Sequence, residues 1–199
     1  MRASHRVALL VMLLMSAVSA QQPPDQSLAR LKPAAGLEVK LWAWEPMFTN
    51  PTSMAIDERG RVWVTEAVNY RRALRNQPPL RAAGDRIVIL QDTNQDGKAD
   101  DVKIFDQTPD IRAPLGIAVM GNKVYLSQSP SVIVYTKDDQ DRIVSKEVLL
   151  TGFGGVDHDH GLHAVNFGPD GKLYFNHGNK GFRVTDKSGK TQQGSSYEP

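Results

Sequence analysis

The sequence predicts an all-β protein of the β-propeller class, and three observations carry that expectation. From Gly36 onward the chain consists of short runs of alternating apolar and polar residues, separated by Gly, Pro, Asn and Asp. This is the pattern of strands joined by turns. One unit then recurs, as SMAIDERGRVWVTEA at 53–67, GIAVMGNKVYLSQSP at 116–130 and AVNFGPDGKLYFNHG at 164–178. Each copy is an apolar strand, a polar turn with glycine, and a strand bearing an aromatic; Trp63, Tyr125 and Tyr174 are equivalent, 62 and 49 residues apart. Between the copies lie outer strand pairs, RIVIL at 86–90 with VKIF at 102–105, then VIVYT at 132–136 with KEVLL at 146–150. Four strands repeating at this spacing describe a propeller blade. The alternative is a β-sandwich whose hairpins happen to look alike, a fold that needs no internal repeat.

Residues 1–20 read as a signal peptide: a basic start with Arg2, His5 and Arg6, an apolar run from Val7 to Met15, and small residues Ser16 to Ala20 for cleavage. That run is shorter than the roughly 20 residues of a membrane span, so the expectation is export, to the periplasm or outside the cell, with no transmembrane span after cleavage. Residues 21–35 (QQPPDQSLARLKPAA) read as a linker or N-terminal arm, and 36–199 as the propeller domain. Leu37, Val39 and Leu41 alternate with Glu38 and Lys40, which predicts a first strand ending near Glu45-Pro46. Ser53–Ile56 and Arg61–Thr65 are strands around a Glu58-Arg59-Gly60 turn, and no segment predicts an amphipathic helix longer than two turns. The C-terminal TQQGSSYEP suggests no outer strand pair for the last copy. About three four-stranded blades are too few to close a ring, so the sequence reads as an incomplete or truncated propeller, the N-terminal part of a longer protein.

Composition excludes several classes. Without residues 1–20, which carry two arginines and no acid, the chain holds 22 basic and 22 acidic side chains. There is no basic stripe interleaved with aromatics, so nucleic acid is not an expected partner. With no cysteine, disulfides and thiolate chemistry are excluded.

Two stretches carry candidate chemistry. Asp92-Thr93-Asn94-Gln95-Asp96-Gly97-Lys98-Ala99-Asp100 places oxygen ligands at Asp92, Asn94 and Asp96, a turn glycine, the Lys98 carbonyl and a closing Asp100 carboxylate. That order suits a hard cation such as calcium. An EF-hand would need Glu where Lys103 stands, so the loop is expected to be a calcium loop within a β-hairpin, with a solvated acidic turn as the alternative. Its counterpart at 137–142 lacks the glycine and reads as a plain turn. The stretch from His158 to Asn179 holds four of the five histidines. His158 and His160 would share a face of an extended strand, and with His163 their spacing admits a transition-metal site. The other reading makes them polar loop residues that cap turns.

DHDHGLHAVNFGPDGKLYFNHGN at 157–179 resembles the matching stretch of the soluble, pyrroloquinoline-quinone (PQQ)-dependent glucose and sorbosone dehydrogenases. Counting back from Gly168-Pro169-Asp170 aligns Asp159-His160 with that family's Asp-His pair. The resemblance implies that His160 is the catalytic general base for oxidation of a sugar or alcohol, with PQQ as cofactor. A second resemblance covers nearly the whole chain after residue 20. EPMFTNPTSMAIDERGRVWVTEAVNYRR, GDRIVILQDTNQDGKADDVKIF and EVLLTGFG are similar to the propeller family of membrane-bound dehydrogenases. Members of that family are often joined to helical repeats and a cytochrome c domain, which implies a cytochrome c electron acceptor. Glu66, Tyr70, Arg71 and His163 are the residues that would reach a cofactor in a central pocket, with ordinary blade-top loop residues as the other reading for the first three. Gly178-Asn179 stands where the family has glycine and an acid, and the basic residues that clamp the quinone lie in later blades. The competing expectation is a non-catalytic, calcium-stabilised propeller that binds carbohydrate or a protein partner.

Overall fold

The computed structural model describes residues 22–186 and 188–195, so the expected signal peptide at 1–20 lies outside the described residues. The chain divides into two compact parts, 1–41 and 42–199. In the first, the expected linker contains one short helix, α1 (Pro24–Ala29), with proline in its first turn and Asp25 beside its positive end. The strand expected over Leu37, Val39 and Leu41 does not form. Leu37 is 68% and Val39 43% exposed, so the alternation has no partner strand and no core to bury it. Among the described residues no helix is long and apolar enough to cross a membrane.

In the second part, β1 (Pro51–Ile56), β2 (Val62–Glu66), β3 (Arg86–Gln91) and β4 (Asp101–Gln107) form a four-stranded antiparallel meander, the first unit. A second meander, β5 (Gly116–Met120), β6 (Lys123–Gln128), β7 (Ser131–Lys137) and β8 (Ile143–Thr151), repeats that order. The repeated units of the sequence are the first hairpins of each sheet: Trp63 faces Ile89 across β2 and β3, and Tyr125 faces Val134 across β6 and β7. The sheets stack face to face. Trp63, Ile87, Ile89 and Phe105 of the first join Ile117, Val124, Leu126 and Tyr135 of the second in one buried cluster. Phe105 meets Trp63 edge-on at 4.9 Å and Tyr135 at 5.5 Å. Trp42, Ala43, Met47 and Phe48 cover the other side of the first sheet, over Val64, Val88 and Leu90.

The third unit begins with the hairpin β9 (Leu162–Phe167) and β10 (Leu173–His177), and β9 packs on β5 and β6. A Cβ on Gly116 would lie 2.9 Å from the Ala164 Cα, so this approach of β5 to β9 requires glycine. The outer pair that the sequence did not suggest is present, as β11 (Phe182–Thr185) and β12 (Thr191–Gly194). Thr-Gln-Gln is polar on both faces and mostly exposed in β12, which removes the alternation by which a strand is read. No ladder joins β10 to β11. The Phe153 ring packs on side chains of both, 5.5 Å from Phe175, 5.6 Å from His177 and 6.2 Å from Phe182. β11 bonds instead to the exit of β8, through Arg183 N–H to Gly152 O and Gly154 N–H to Gly181 O, both at 2.8 Å. The third unit is thus two hairpins rather than one four-stranded sheet, and the three units do not close a ring among the described residues.

One polar cluster crosses the first interface. Arg61 donates two parallel hydrogen bonds to Asp141, at 2.6 and 2.9 Å, and its Nε donates to Asp57 at 2.8 Å. Trp63 Nε1 and Lys137 complete the cluster, on Asp57 at 2.9 Å and Asp141 at 3.1 Å. Burial opposes ionisation of Asp57 and Asp141, but hydrogen bonds from Trp63 and Arg61 on Asp57, and from Arg61 and Lys137 on Asp141, prevail with the cationic charges and hold both carboxyls below their ordinary range. Removing one partner of such a buried pair typically costs about 3–5 kcal/mol. Arg61→Ala is therefore expected to lower the unfolding free energy in urea by about that amount, and Arg61→Lys to recover only part, since an ammonium lacks the planar fork.

Candidate functional site

Antiparallel meanders send alternate connections to opposite ends of the sheets. The β2–β3 loop (67–85), the β4–β5 loop (108–115), the β8–β9 loop (152–161) and the β10–β11 turn (178–181) gather at one end. The acidic loop 92–100 lies at the other. His160 is therefore separated from the candidate cation loop by the length of the strands.

The first and third units meet at the loop end through Arg71. Its backbone N–H donates to the Asp157 carboxylate at 2.8 Å, and its guanidinium pairs with Asp159. Both Arg71 and Asp157 have left-handed backbone, with φ of 57° and 53°. Desolvation opposes ionisation of Asp159, yet hydrogen bonds from Arg71 and Tyr70 bring its pKa down to about 2. The Arg71 guanidinium also stacks 5.3 Å from the Tyr70 ring centre. His158 places Nδ1 2.8 Å from Asp159 Oδ1 and Nε2 3.3 Å from Arg71 Nη2. The neutral tautomer with its proton on Nδ1 serves both contacts, although the His160 N–H, 3.0 Å from that same Nδ1, then finds no lone pair there. Desolvation and the Arg71 charge lower the His158 pKa, which keeps this ring neutral at neutral pH.

These contacts hold the loop that carries His160. The His160 ring is exposed, and its Nδ1 lies 2.7 Å from Asn179 Oδ1. An amide oxygen only accepts, so Nδ1 carries a proton, and Nε2 has no partner among the described residues. Glycines make the loop possible: a Cβ on Gly178 would lie 2.6 Å from the His160 carbonyl oxygen and 2.8 Å from its Cα.

The other expected site residues are placed as follows. Tyr70 and Arg71 reach the His160 loop, and Arg71 is engaged there by Asp159. His163 turns its Nε2 to the Asp159 backbone carbonyl and so closes the loop on itself. Glu66 is fully buried, with its carboxylate accepting from Arg81, from Arg86 at 2.6 and 2.7 Å, and from the Thr49 N–H at 2.9 Å. Burial raises its pKa, but the two guanidinium groups outweigh that and keep it ionised. It offers no face to a ligand. Among the described residues no three acidic, histidine or cysteine side chains are gathered as a metal requires, which applies to the histidines and to the acidic loop alike. In that loop Asp92 accepts from the Gly97 N–H at 2.8 Å, Asp96 from the Lys98 N–H at 2.9 Å, and Asp100 from Thr93 N–H and hydroxyl at 2.8 and 2.9 Å. Asn94 accepts from the Asp96 N–H at 2.9 Å. The donor set is all oxygen, as calcium prefers, but it closes on its own backbone.

Sequence reasoning missed Asn179 as the partner of His160 and Arg71 as the anchor of Asp159. The first had a signal, a Gly-Asn directly after a strand; the second spans 88 positions and had none.

The sheets and their order define a β-propeller-like protein. The chain belongs to the family described as a domain of unknown function (DUF7133), which it matches over residues 23–198. Its fold is similar to that of a gluconolactonase from Xanthomonas campestris, with a TM-score of 0.51 and 16% identity over 82% of this chain. The chain spans about half the length of that protein, 53%. Among curated proteins none matches it.

Because Gly178 is packed on the His160 backbone, Gly178→Ala is expected to cost about 1–3 kcal/mol, the usual range for overpacking. Chemical denaturation measures the loss, and the His160 ring resonances in NMR should shift with it.

Proposed function

We propose that this chain supplies the His160-bearing portion of an exported oxidoreductase that acts on a sugar or alcohol. The observation that carries this reading is the exposed His160 ring, oriented through Nδ1 by Asn179 at 2.7 Å with Nε2 open. Imidazole titrates near neutral pH and suits a general base. In the proposed role Nε2 takes the proton of a substrate hydroxyl, while Asn179 holds the ring and the Arg71–Asp159 pair holds the loop. Oxidation also needs a two-electron acceptor, the chemistry that PQQ supplies when bound, and a cytochrome c would then receive the electrons. A tricarboxylate quinone needs unpaired cations, and Arg71, the guanidinium that reaches this loop, is already neutralised by Asp159. The residues of the His160 loop therefore do not fit the quinone as a complete site.

The gluconolactonase likeness supports a second reading, in which the same base withdraws a proton from water to open a sugar lactone. His160→Gln decides whether the base matters. With the protein assayed for dye-linked sugar oxidation, with PQQ and calcium added, and for lactone hydrolysis, the variant is expected to lose at least about 100-fold in rate. Its melting temperature should stay unchanged, because the ring is exposed. Unchanged turnover would overturn the role of His160. Sugar binding without either activity would make the protein a binding module.

Calcium at Asp92–Asp100 belongs to the same proposal as a structural ion. Its oxygens must leave backbone donors to bind, so affinity is expected in the weak range of extracellular modules, about 1 mM. At tenfold that concentration the stabilisation is about 1.4 kcal/mol, a rise in melting temperature of about 3–6 °C. Asp96→Ala should abolish the rise. A melting temperature indifferent to 10 mM calcium, about ten times that dissociation constant, would leave the loop as a self-capped turn.

A further inference from the structure

Beside the His160 loop, at the same end of the sheets, lies a cavity of about 170 Å³ whose lining includes Asn69, Arg72, Gln77, Arg81, Arg112 and Asp157. A water needs about 10–15 Å³ of such space, so the cavity admits a ligand of roughly ten non-hydrogen atoms or more. Its wall is rigid: the Asn69 amide both donates to and accepts from the Arg81 backbone, each at 2.9 Å. The Asn69 N–H in turn donates to buried Asp85 at 2.9 Å.

The charges around this cavity are not balanced. Arg81 is neutralised by Glu66. Arg72 and Arg112 belong to no ion pair among the described residues. Each is oriented instead by its Nε, which donates to a backbone carbonyl, Pro78 at 2.9 Å and Pro109 at 3.0 Å. Their terminal nitrogens remain for a ligand, in the planar fork that matches a carboxylate. The one acid in the lining, Asp157, is nearly buried and gives one oxygen to the Arg71 N–H at 2.8 Å. A dianionic phosphate would face repulsion from that carboxylate, whereas a ligand hydroxyl can donate to it. Gln77 adds a further donor and acceptor for hydroxyl groups.

We propose that this cavity binds a monocarboxylate bearing several hydroxyl groups, a sugar acid, with the carboxylate on Arg72 and Arg112 and the hydroxyls toward Asp157 and Gln77. This deepens the reading of a sugar-acting protein, since a sugar acid is the product of lactone opening and is what the lactone from aldose oxidation becomes once water opens it. It rests on that reading for its biological sense and on the cavity for its chemistry.

Titration calorimetry of the protein with D-gluconate tests it, beside D-glucose, acetate and inorganic phosphate. Saturable gluconate binding is expected, at least tenfold tighter than the other three, a margin of about 1.4 kcal/mol. Arg72→Gln and Arg112→Gln, both away from the core, should each weaken it by at least about tenfold with melting temperatures retained. His160→Gln should leave binding intact, so failure of the catalytic reading is distinguishable from failure of this one. Phosphate binding as tight as gluconate would overturn recognition of the hydroxyls. Absence of saturable gluconate binding, or binding unchanged in both arginine variants, would overturn the site.

Discussion

The buried Arg61 cluster sets the relation between the first two sheets, and much of the second part follows from it. Apolar packing of Trp63, Phe105 and Tyr135 supplies the area but is tolerant of small rotations between sheets. A bidentate guanidinium–carboxylate contact is not tolerant. With Arg61 between Asp57 of one turn and Asp141 of the other, and Trp63 and Lys137 closing the set, the sheets have one orientation in which every buried charge is paired. The penalty for leaving any of them unpaired is what makes the arrangement specific.

That orientation fixes what happens at the far ends of the strands. The Arg61 cluster lies in the turns at one end, and the loops holding Tyr70, Arg71, Asp157 and His160 lie at the other. There a second ion pair, Arg71 with Asp159, ties the first unit to the entry of the third. The two pairs differ in kind. Arg61 and Asp141 are enclosed, whereas Asp159 is about half exposed, so solvent screens the second pair and its work is positional. It holds a loop whose next residue is an exposed imidazole.

The histidines divide the labour accordingly. His158 is neutral and committed to Arg71 and Asp159, and His163 closes its loop on a backbone carbonyl. His160 keeps one nitrogen on Asn179 and one for solvent or substrate. Beside it, Asp157 forms a common wall with a cavity whose Arg72 and Arg112 have no acid partner among the described residues. A base and an anion-binding wall at the same end of the sheets suit chemistry on hydroxylated substrates, and the acidic loop at the opposite end suits a structural ion.

The strands were legible as short apolar runs bounded by turn residues, and RIVIL, buried on both faces, and VIVYT read that way without strict alternation; the repeat of hairpins then implied blades. Where that rule has no force, reading failed. Leu37, Val39 and Leu41 alternate without a partner strand, and Thr191–Gly194 pairs without alternating. His160 stood out as a candidate through resemblance, since Asp159-His160 ahead of Gly168-Pro169-Asp170 matches the Asp-His of the sugar dehydrogenases. Its partners were not. Arg71 with Asp159, Arg61 with Asp141, and the gathering of Arg72, Arg81 and Arg112 around one cavity join residues from separate loops and turns. Pattern along the chain determined which segments are strands and where the polar loops fall. Only the packing of sheet on sheet decided which loops meet, because ion pairing and cavity formation depend on distance in space, and separation along the chain carries no record of it.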